Sequence, residues 1–210
     1  MRNTLFLAFF FLTIHLSAQN TFNAGVLAGV NGCQIHGDSY SGFNQAGLVG
    51  GIYVSTNPEE KVYFQMELQY SRKGSKKNAN PDRGDYDAFE LRMSYIEVPL
   101  LCRINYRRLY FEFGETIGAL AHVREWDDFG EIQPSGFRRW ETALVLGMGY
   151  NISERWYVDF RYTNSIIPVK KFAVPIYYQN RLSNLFNKGM YNNVLGLTIS
   201  YRFPTKTPAP

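Results

Sequence analysis

The stretch Val62–Tyr70, VYFQMELQY, decides the fold because its side chains separate onto two faces with a period of two residues. One face is largely polar, and the other is formed by Val62, Phe64, Met66, Leu68 and Tyr70. This alternation is that of a β-strand. The apolar face either covers a soluble core or meets lipid in a membrane barrel, and the strand alone leaves both open.

The first residues have the composition of a secretory signal peptide. Arg2 supplies a positive charge, Leu5–Leu12 is wholly apolar, and Leu16-Ser17-Ala18 resembles a cleavage site with small residues. The apolar run is too short for a membrane anchor, which needs about 20 apolar residues. We therefore expect residues 1–18 to be removed and the mature chain to be exported.

Composition favours a barrel over a soluble exported domain. After residue 20 no apolar run is long enough for a helical span, and the mean hydropathy is -0.26. The strands of a barrel alternate over about 10 residues and leave little trace in such an average. The chain has 16% aromatic residues, which suit the girdles of a barrel at the two membrane interfaces. Its 18 glycines suit close packing inside a lumen.

Charge and cysteine usage narrow the function classes. A formal net charge of +4 often indicates nucleic-acid binding, but export argues against that partner. Cys33 and Cys102 lack metal-ligand spacing, and we expect them on strands that are not neighbours. A disulfide between them is possible in an oxidising compartment, but it is the less favoured interpretation.

Alternating segments recur eight times between residues 19 and 203. They are Thr21–Gln34, Ala46–Val54, Val62–Tyr70, Phe89–Ile104, Leu109–Ala119, Trp140–Tyr150, Trp156–Thr163 and Tyr191–Phe203. Their connections alternate long and short, as in bacterial outer-membrane barrels with external loops and tight periplasmic turns. The sequence predicts an all-β fold, an eight-stranded antiparallel up-and-down transmembrane β-barrel. We expect a monomer in the outer membrane with both termini in the periplasm, and a flexible tail over residues 204–210.

Two positions disturb the alternation. In the fourth strand the apolar parity changes near Tyr95, and Pro99 lacks the amide hydrogen that a closed sheet uses. We therefore expect a β-bulge or an irregular start between Ser94 and Pro99. Glu115 has the outward parity in the fifth strand. Either a bulge at Gly114 turns it away from lipid, which we favour, or the carboxylate faces lipid or a partner.

Inward-facing polar residues form the main candidate site. A barrel of about eight strands is just wide enough for its own side chains, so these groups are expected to pair across the lumen. Such pairs are typically structural plugs rather than catalytic groups, and a large diffusion pore is not expected. The predicted lumen network consists of Gln65, Glu67, Gln69, Glu97, Arg103, Glu112, Glu141, Asp159, Arg161 and Arg202.

The segment from Arg72 to Asp87 is basic, polar and without apolar periodicity, so we expect a long external loop. Residues 122–138 and 166–189 are predicted to be long loops as well. The loop at 72–87 could contact outer-leaflet lipids and the phosphates of lipopolysaccharide. It could also simply be solvated, which is the more economical interpretation. The candidate contacts are Arg72, Lys73, Lys76 and Lys77.

An outer-membrane hydrolase or acyltransferase acting on lipid is the enzymatic alternative. It requires a nucleophile, a base and an orienting carboxylate in close contact. His36 and His122 are the only histidines after the signal peptide, and His36 could be combined with Asp38 and with Ser39 or Ser41. Proximity in sequence does not by itself make a triad. No phosphate loop, metal cluster or nucleotide motif is present, so we predict a non-enzymatic protein without catalytic residues, cofactor or metal.

Several motifs resemble a known family. The residues Gly29-Val30-Asn31 with the following Gly37-Asp38 and Ser41–Asn44, then Glu67–Gly74 (ELQYSRKG) and Tyr95–Leu101 (YIEVPLL), look like those of PorT-like outer-membrane β-barrel proteins of Bacteroidetes. The end of the last strand, Leu195–Phe203, is similar to the aromatic-ended signal read by the barrel-assembly machinery.

The resemblance implies an outer-membrane barrel whose biogenesis involves that machinery. One founding member of the family is required for type IX secretion, which suggests an accessory role in that process with secretion-system proteins as partners. Most relatives are outer-membrane barrels of unknown role. The resemblance does not separate these two groups.

Overall fold

A computed structural model describes residues 22–38, 40–172 and 189–204 of the chain. The predicted signal peptide, Ser39, most of the last long loop and the tail from residue 205 lie outside the described residues. The strands are β1 (Asn23–His36), β2 (Gln45–Ser55), β3 (Val62–Lys77), β4 (Phe89–Tyr106), β5 (Leu109–Asp127), β6 (Gly130–Ile132), β7 (Trp140–Asn151), β8 (Trp156–Ser165), β9 (Lys170–Lys171) and β10 (Gly189–Arg202). A short 3₁₀ turn spans Pro81–Arg83. In the part of the chain that is described, no helix has the length and apolar character to cross a membrane.

Eight long strands close into a ring. Their order is β1-β2-β3-β4-β5-β7-β8-β10, all neighbours are antiparallel, and β10 pairs with β1. We start at Ala24 and move from each residue to its partner on the next strand around the ring. The path returns to β1 at Gln34, ten residues beyond its start. This stagger tilts the strands, as closure of a barrel requires. The predicted eight-stranded up-and-down architecture is confirmed.

Exposure alternates along the strands with the polarity of the side chains. On β3 the outward Phe64 and Met66 are 61% and 49% exposed, whereas the inward Tyr63, Gln65 and Glu67 are at most 3% exposed. Exposed aromatic residues lie at the two edges of the outward apolar belt, namely Tyr70, Trp140 and Tyr162 at one edge and Tyr106, Tyr150 and Trp156 at the other. A continuous apolar outer surface of this kind fits hydrocarbon rather than water.

The connections alternate in length, as predicted. Residues 56–61, 107–108 and 152–155 form short turns at the rim where β1 begins and β10 ends. In the first of them the amide of Glu60 donates to the carbonyl of Asn57 at 3.3 Å, and the two-residue turn places Arg107 at φ 59°. The longer connections, 37–44, 78–88, 128–139 and 166–188, begin and end at the opposite rim.

Strands β3, β4 and β5 continue past this second rim, where the sequence predicted loops at 72–87 and 122–138. Pairing persists to Lys77 with Phe89 and to Glu90 with Trp126, and β6 adds a fourth strand. We call residues 72–77, 89–94, 122–127 and β6 the external extension, after the side of the membrane that the sequence predicts for them. The loop predictions are wrong for residues 72–77, 122–127 and β6, because backbone pairing holds a sheet together without apolar alternation once the strands have left the belt. The predicted strand from Phe89 is confirmed.

An irregularity does occur where one was predicted in β4. Ser94 pairs with His122 and Tyr95 pairs with Leu120. The extra residue, Ala121, therefore belongs to β5, and β4 itself is not bulged.

The apparent change of parity in β4 has a different cause from the predicted one. Leu91, Met93 and Tyr95 are at most 1% exposed and point inward, as Glu97 does below them. Apolar groups line the upper lumen, so β4 keeps the same inward face throughout. Pro99 also points inward, and the pairing of β3 with β4 is interrupted beside it.

The expected bulge at Gly114 is absent, and that prediction is wrong. Glu115 pairs in regular register with Leu100 on β4 and with Leu144 on β7. Its side chain is exposed on the outward face, beside Leu100 and Leu144, which are 52% and 55% exposed. The carboxylate therefore lies within the apolar belt.

Candidate functional site

The lower lumen holds five charged side chains in one network, each at most 7% exposed. Arg161 donates to the two oxygens of Glu67 at 2.8 and 2.7 Å and to Glu112 at 2.5 Å. Arg103 donates to Glu112 at 2.9 Å and to Asp159 at 3.1 Å. The planar guanidinium groups bridge carboxylates from opposite walls of the barrel, for which their fork geometry is suited.

Neutral donors complete this network, in which three carboxylates face two guanidiniums. The hydroxyls of Tyr110, Thr198 and Ser200 all donate to Asp159, the last two at 3.3 and 3.4 Å. The amide of Gln65 donates to Glu67 at 2.6 Å. Because the buried acceptors are satisfied by these donors, the excess negative charge can be held inside the barrel.

A layer of tyrosines closes the lumen below the network. The rings of Tyr53 and Tyr110 meet Tyr157 edge to face, with centroids 5.9 and 6.1 Å away. Arg103 lies over Tyr110 and Tyr157, at 4.7 and 5.4 Å from their ring centroids. A Cβ atom on Gly149 would overlap the Tyr110 ring, so glycine at this position permits the close approach.

A second ionic cluster lies higher in the lumen. The ammonium of Lys73 is 2.5 Å from Glu97 and 3.1 Å from Glu141. Ser165 and Asn192 donate to Glu141 as well, the latter at 3.1 Å. Lys73 is 1% exposed, so its predicted contact with lipopolysaccharide is wrong. It occupies an inward position of a strand that continues where a loop was expected.

The remaining predicted lumen residues occupy different surroundings. Gln69 donates to Glu97 at 3.2 Å and so joins the upper cluster. Arg202 lies at the lower rim, half-buried, with its guanidinium 5.9 Å from the Tyr157 ring centroid. Sequence reasoning missed six members, which are Lys73, Tyr110, Ser165, Asn192, Thr198 and Ser200. Their inward parity was the available signal.

An apolar cluster closes the lumen above the upper ionic cluster. It consists of Ile35, Leu91, Met93, Tyr95 and Val169, each at most 1% exposed. Between the two ionic clusters lies a cavity of about 30 Å³, far smaller than the roughly 300–1,000 Å³ of a small-ligand site. The lumen is therefore a packed interior.

The two cysteines lie on β1 and β4, which are not neighbours, as predicted, and both are free. The thiol of Cys33 is buried in the lumen, 3.5 Å from the carbonyl oxygen of Arg72. Cys102 is half-buried on the other face of the sheet. Opposite faces and separate strands prevent a disulfide between them.

The residues proposed for an enzymatic triad have other partners. His122 is exposed, and its Nε2 accepts a hydrogen bond from Arg124 at 2.9 Å. The buried carboxylate of Asp38 accepts the amide of Tyr40 at 2.9 Å, and burial raises the pKa of Asp38 above its ordinary value. His122 is thus oriented by a cation, whereas a catalytic base is oriented by a carboxylate. Within residues 22–38, 40–172 and 189–204, no three His, Cys, Asp or Glu residues are grouped to hold a metal ion.

The external extension carries charged residues on its outward face. Lys76, Glu90 and Trp126 are paired across β3, β4 and β5, and so are Gly74, Arg92 and Arg124 one step lower. Lys76, Glu90, Arg92 and Trp126 also line a cleft of about 450 Å³. The Arg92 guanidinium is 2.6 Å from Glu90 and 5.1 Å from the Trp126 ring centroid.

Lys77, at the end of β3, belongs to the adjoining loop. Its ammonium donates to Asp85 at 2.8 Å and is 3.5 Å from Asp87. The hydrogen bond from Lys77 lowers the pKa of Asp85 below its ordinary value. Of the four cations predicted to contact lipopolysaccharide, Lys73 and Lys77 have carboxylate partners. Arg72 and Lys76 form no salt bridge with a described residue, although Lys76 faces Glu90 across the sheet.

Comparisons with known proteins agree with this geometry. Neisserial surface protein A, NspA, is 13% identical with a TM-score of 0.51, and the alignment covers 86% of this chain and 97% of NspA. Ail, the attachment invasion locus protein of Yersinia pestis, solved in complex with the heparin analogue sucrose octasulfate, is 13% identical with a TM-score of 0.49, covering 87% and 99% of the two chains. At 13% identity the likeness to NspA concerns the fold alone. No curated protein matches the sequence.

Residues 17–171 match the family described as the outer membrane protein beta-barrel domain. This match covers most of the strands of the closed ring, and the apolar outer belt is the surface that such a protein presents to lipid. The chain therefore belongs to the outer membrane protein beta-barrel domain family and is an outer-membrane β-barrel protein.

Proposed function

We propose that this protein is a monomeric, non-conducting and non-enzymatic barrel that acts by binding at its external end, with both termini in the periplasm. The observation that carries the proposal is the sealed lumen. Tyrosines fill its lower end, two ionic clusters fill its middle, and apolar side chains fill its upper end. Since a packed lumen offers no route for a solute, the external extension and the adjoining loops are the surfaces left for an interaction.

The lack of conductance is tested by reconstituting the mature protein into liposomes and measuring swelling in solutions of small sugars. We expect the rate of empty liposomes, with a general porin at equal protein content as the positive control. Swelling well above the empty-liposome rate would show an open lumen and remove the proposal.

The proposed orientation follows from the asymmetry of the two rims. Short turns are typical of the periplasmic side of outer-membrane barrels, and longer connections of the external side. An epitope inserted after Asp82 should be reached by antibody on intact cells, whereas one inserted after Glu154 should require permeabilised cells. The reverse result would place the external extension in the periplasm.

The non-enzymatic assignment is tested through the lipids of the membrane. Mass spectrometry of lipid A and phospholipids should show the same species in wild-type cells and in cells that lack the gene. A modification that is lost on deletion, and lost again in a His36→Ala or His122→Ala variant, would instead support the hydrolase or acyltransferase.

An accessory role in type IX secretion is a second candidate, favoured by the PorT-like motifs. Much of the motif sequence faces the lumen, where Asn31 donates to Ser71 at 3.2 Å and Lys73 pairs with Glu97. Lumen packing therefore accounts for these residues without a secretion partner. Deletion of the gene followed by proteomics of the secreted fraction tests the role, because loss of type IX cargo would favour it and an unchanged secretome would remove it.

A further inference from the structure

We infer that the outward face of the external extension docks a phosphorylated glycolipid of the outer leaflet. The phosphates would lie on Arg72, Arg92 and Lys76, and the sugar ring in the cleft beside Trp126. This inference rests on the proposed function, since it requires the extension to lie outside the cell. It goes further by naming the chemical class of the ligand.

The position of the cations relative to the belt is the first observation. Tyr70 and Ile96, a pair across β3 and β4, are the last outward residues of the belt there, at 38% and 45% exposed. Two residues further along, the next outward pair is Arg72 with Ser94. Two residues of a strand span about 7 Å. The cations therefore begin at the depth where acyl chains give way to headgroups.

The second observation is the charge left uncompensated on this face. Arg72 and Lys76 form no ion pair with any described residue, and Arg92 has Glu90 as its partner. The Nε atom of Arg124 lies 3.9 Å from Oε1 of Glu131, which is a long separation for an ion pair, and both side chains are more than half exposed. Exposed pairs of this kind are weak. An added phosphate would displace no described ion pair at Arg72, and it would compete with Glu90 and Asp127 for Lys76 and Arg92 in the cleft.

The third observation is the shape and lining of the cleft. Its volume of about 450 Å³ falls in the range of small-ligand sites. An indole face offers an apolar surface for the carbon skeleton of a sugar ring. The guanidinium of Arg92, 5.1 Å from the Trp126 ring, can meet two phosphate oxygens at once.

The fourth observation is that the described outward residues at the upper edge of the belt on β8, β10 and β1 are neutral. The outward residues there are Asn164 on β8, Asn193 on β10 and Gln34 on β1, which are paired across neighbouring strands. Asn164 donates to Asn193, so these amides bind each other.

Continuity with the belt favours a membrane lipid over a soluble sugar phosphate as the occupant. Below the cations, Leu68, Ile96 and Val98 are exposed by 37–49% on the same face. Acyl chains of a ligand bound through its headgroup would lie along these side chains. A soluble ligand would leave them uninvolved.

The test titrates the mature protein, in detergent micelles, with bis-phosphorylated lipid A, with the same lipid after removal of both phosphates, and with phosphatidylglycerol. Binding is followed by native mass spectrometry. We expect the phosphorylated form to bind at least about tenfold more tightly than the dephosphorylated form. Equal affinity would overturn the inference, and this comparison needs no variant.

Variants locate the site. The triple variant Arg72→Gln, Lys76→Gln, Arg92→Gln should lower lipid A affinity at least about tenfold. The matched control Lys61→Gln, Arg108→Gln, Arg155→Gln removes three cations from the short turns of the opposite rim and should leave affinity unchanged. An equal loss in both would mean attraction by net charge alone and would overturn the inference.

Two further arms identify the ligand class. Trp126→Ala should weaken binding of lipid A but not of phosphatidylglycerol, which has no sugar ring. An equal effect on both lipids, or no effect on either, would remove the sugar subsite.

The deacylated disaccharide bisphosphate should bind more weakly than lipid A, and equal binding would make a soluble ligand the occupant. The epitope and swelling experiments are independent of lipid A, so the site can fail while the proposed function stands.

Discussion

The outward faces of β3, β4 and β5 change polarity at the external rim, and on β4 the inward face changes as well. Below it, the inward Glu67 and Glu97 are buried and charged, while the outward Leu68 is 49% exposed. Above it, the inward Met93 is fully buried, while the side chain of the outward Arg92 is 45% exposed. The pleat of β4 does not change between the two regions. What changes is the solvent on the outward face, from hydrocarbon to water.

The polarity of a side chain in a barrel strand therefore indicates the solvent that it contacts, and not whether it points inward or outward. In lipid the outward positions must be apolar, and charges are held inside by pairing. In water β4 follows the ordinary rule, with apolar groups inside and charges outside, whereas β3 keeps the buried Lys73 paired with Glu97 and Glu141. The change falls between Tyr70 with Ile96 and the next outward pair, Arg72 with Ser94.

The largest expected effect comes from breaking the lower ionic network. Arg103→Met leaves Glu112 and Asp159 buried with less compensating charge, and should lower the free energy of unfolding by about 3–5 kcal/mol. Urea unfolding in lipid vesicles, followed by tryptophan fluorescence, measures it. Arg108→Met, at an exposed turn, is the control and should be nearly neutral. A similar small change in both variants would mean that the lumen charges are not coupled.

Two methionines compare the packed interior above the rim with the lipid-facing belt. Met93→Ala should lower stability by about 2–4 kcal/mol, because a cavity opens among Leu91, Tyr95 and Ile35. Met66→Ala, at a position 49% exposed, should change it by less than about 1 kcal/mol, because lipid chains can fill the space. Equal losses in the same unfolding assay would contradict the assignment of the two faces.

An arginine scan on one face of β4 places the boundary. Leu100→Arg puts a charge in the belt and should lower stability by about 2–4 kcal/mol. Ser94→Arg, three outward positions further up, should stay within about 0.5 kcal/mol of wild type. If Ser94→Arg were as harmful as Leu100→Arg, lipid would extend over the external extension and the proposed docking face would be misplaced.

The smallest expected effect tests the one carboxylate found in the belt of the described strands. Glu115→Leu should raise the free energy of unfolding by about 1 kcal/mol, since a carboxylate is disfavoured in lipid, though less than Arg or Lys. The same vesicle assay applies, with Ile117→Leu as the control. A destabilised Glu115→Leu variant would indicate that the carboxylate has a favourable partner in the membrane.

Much of the fold was readable from local pattern, and the failures have one origin. The eight strands, their order of long and short connections and the inward carboxylates follow from period-two alternation. The same rule, applied with fixed polarity, misassigned Lys73 to a loop and interpreted Leu91, Met93 and Tyr95 as a change of face. Both errors occur where the strands cross from one solvent to another, a position that alternation alone does not mark.

The sequence by itself determined that this is a closed sheet with an apolar outside, because side-chain parity is a property of neighbouring residues. Only the tertiary structure decided which charges pair, since partners such as Glu67 and Arg161 are separated by 94 residues and meet through the stagger of the barrel. It also brought Lys76, Arg92 and Trp126 onto one outward face, because strand register is set by pairing across the whole ring and not by any single segment.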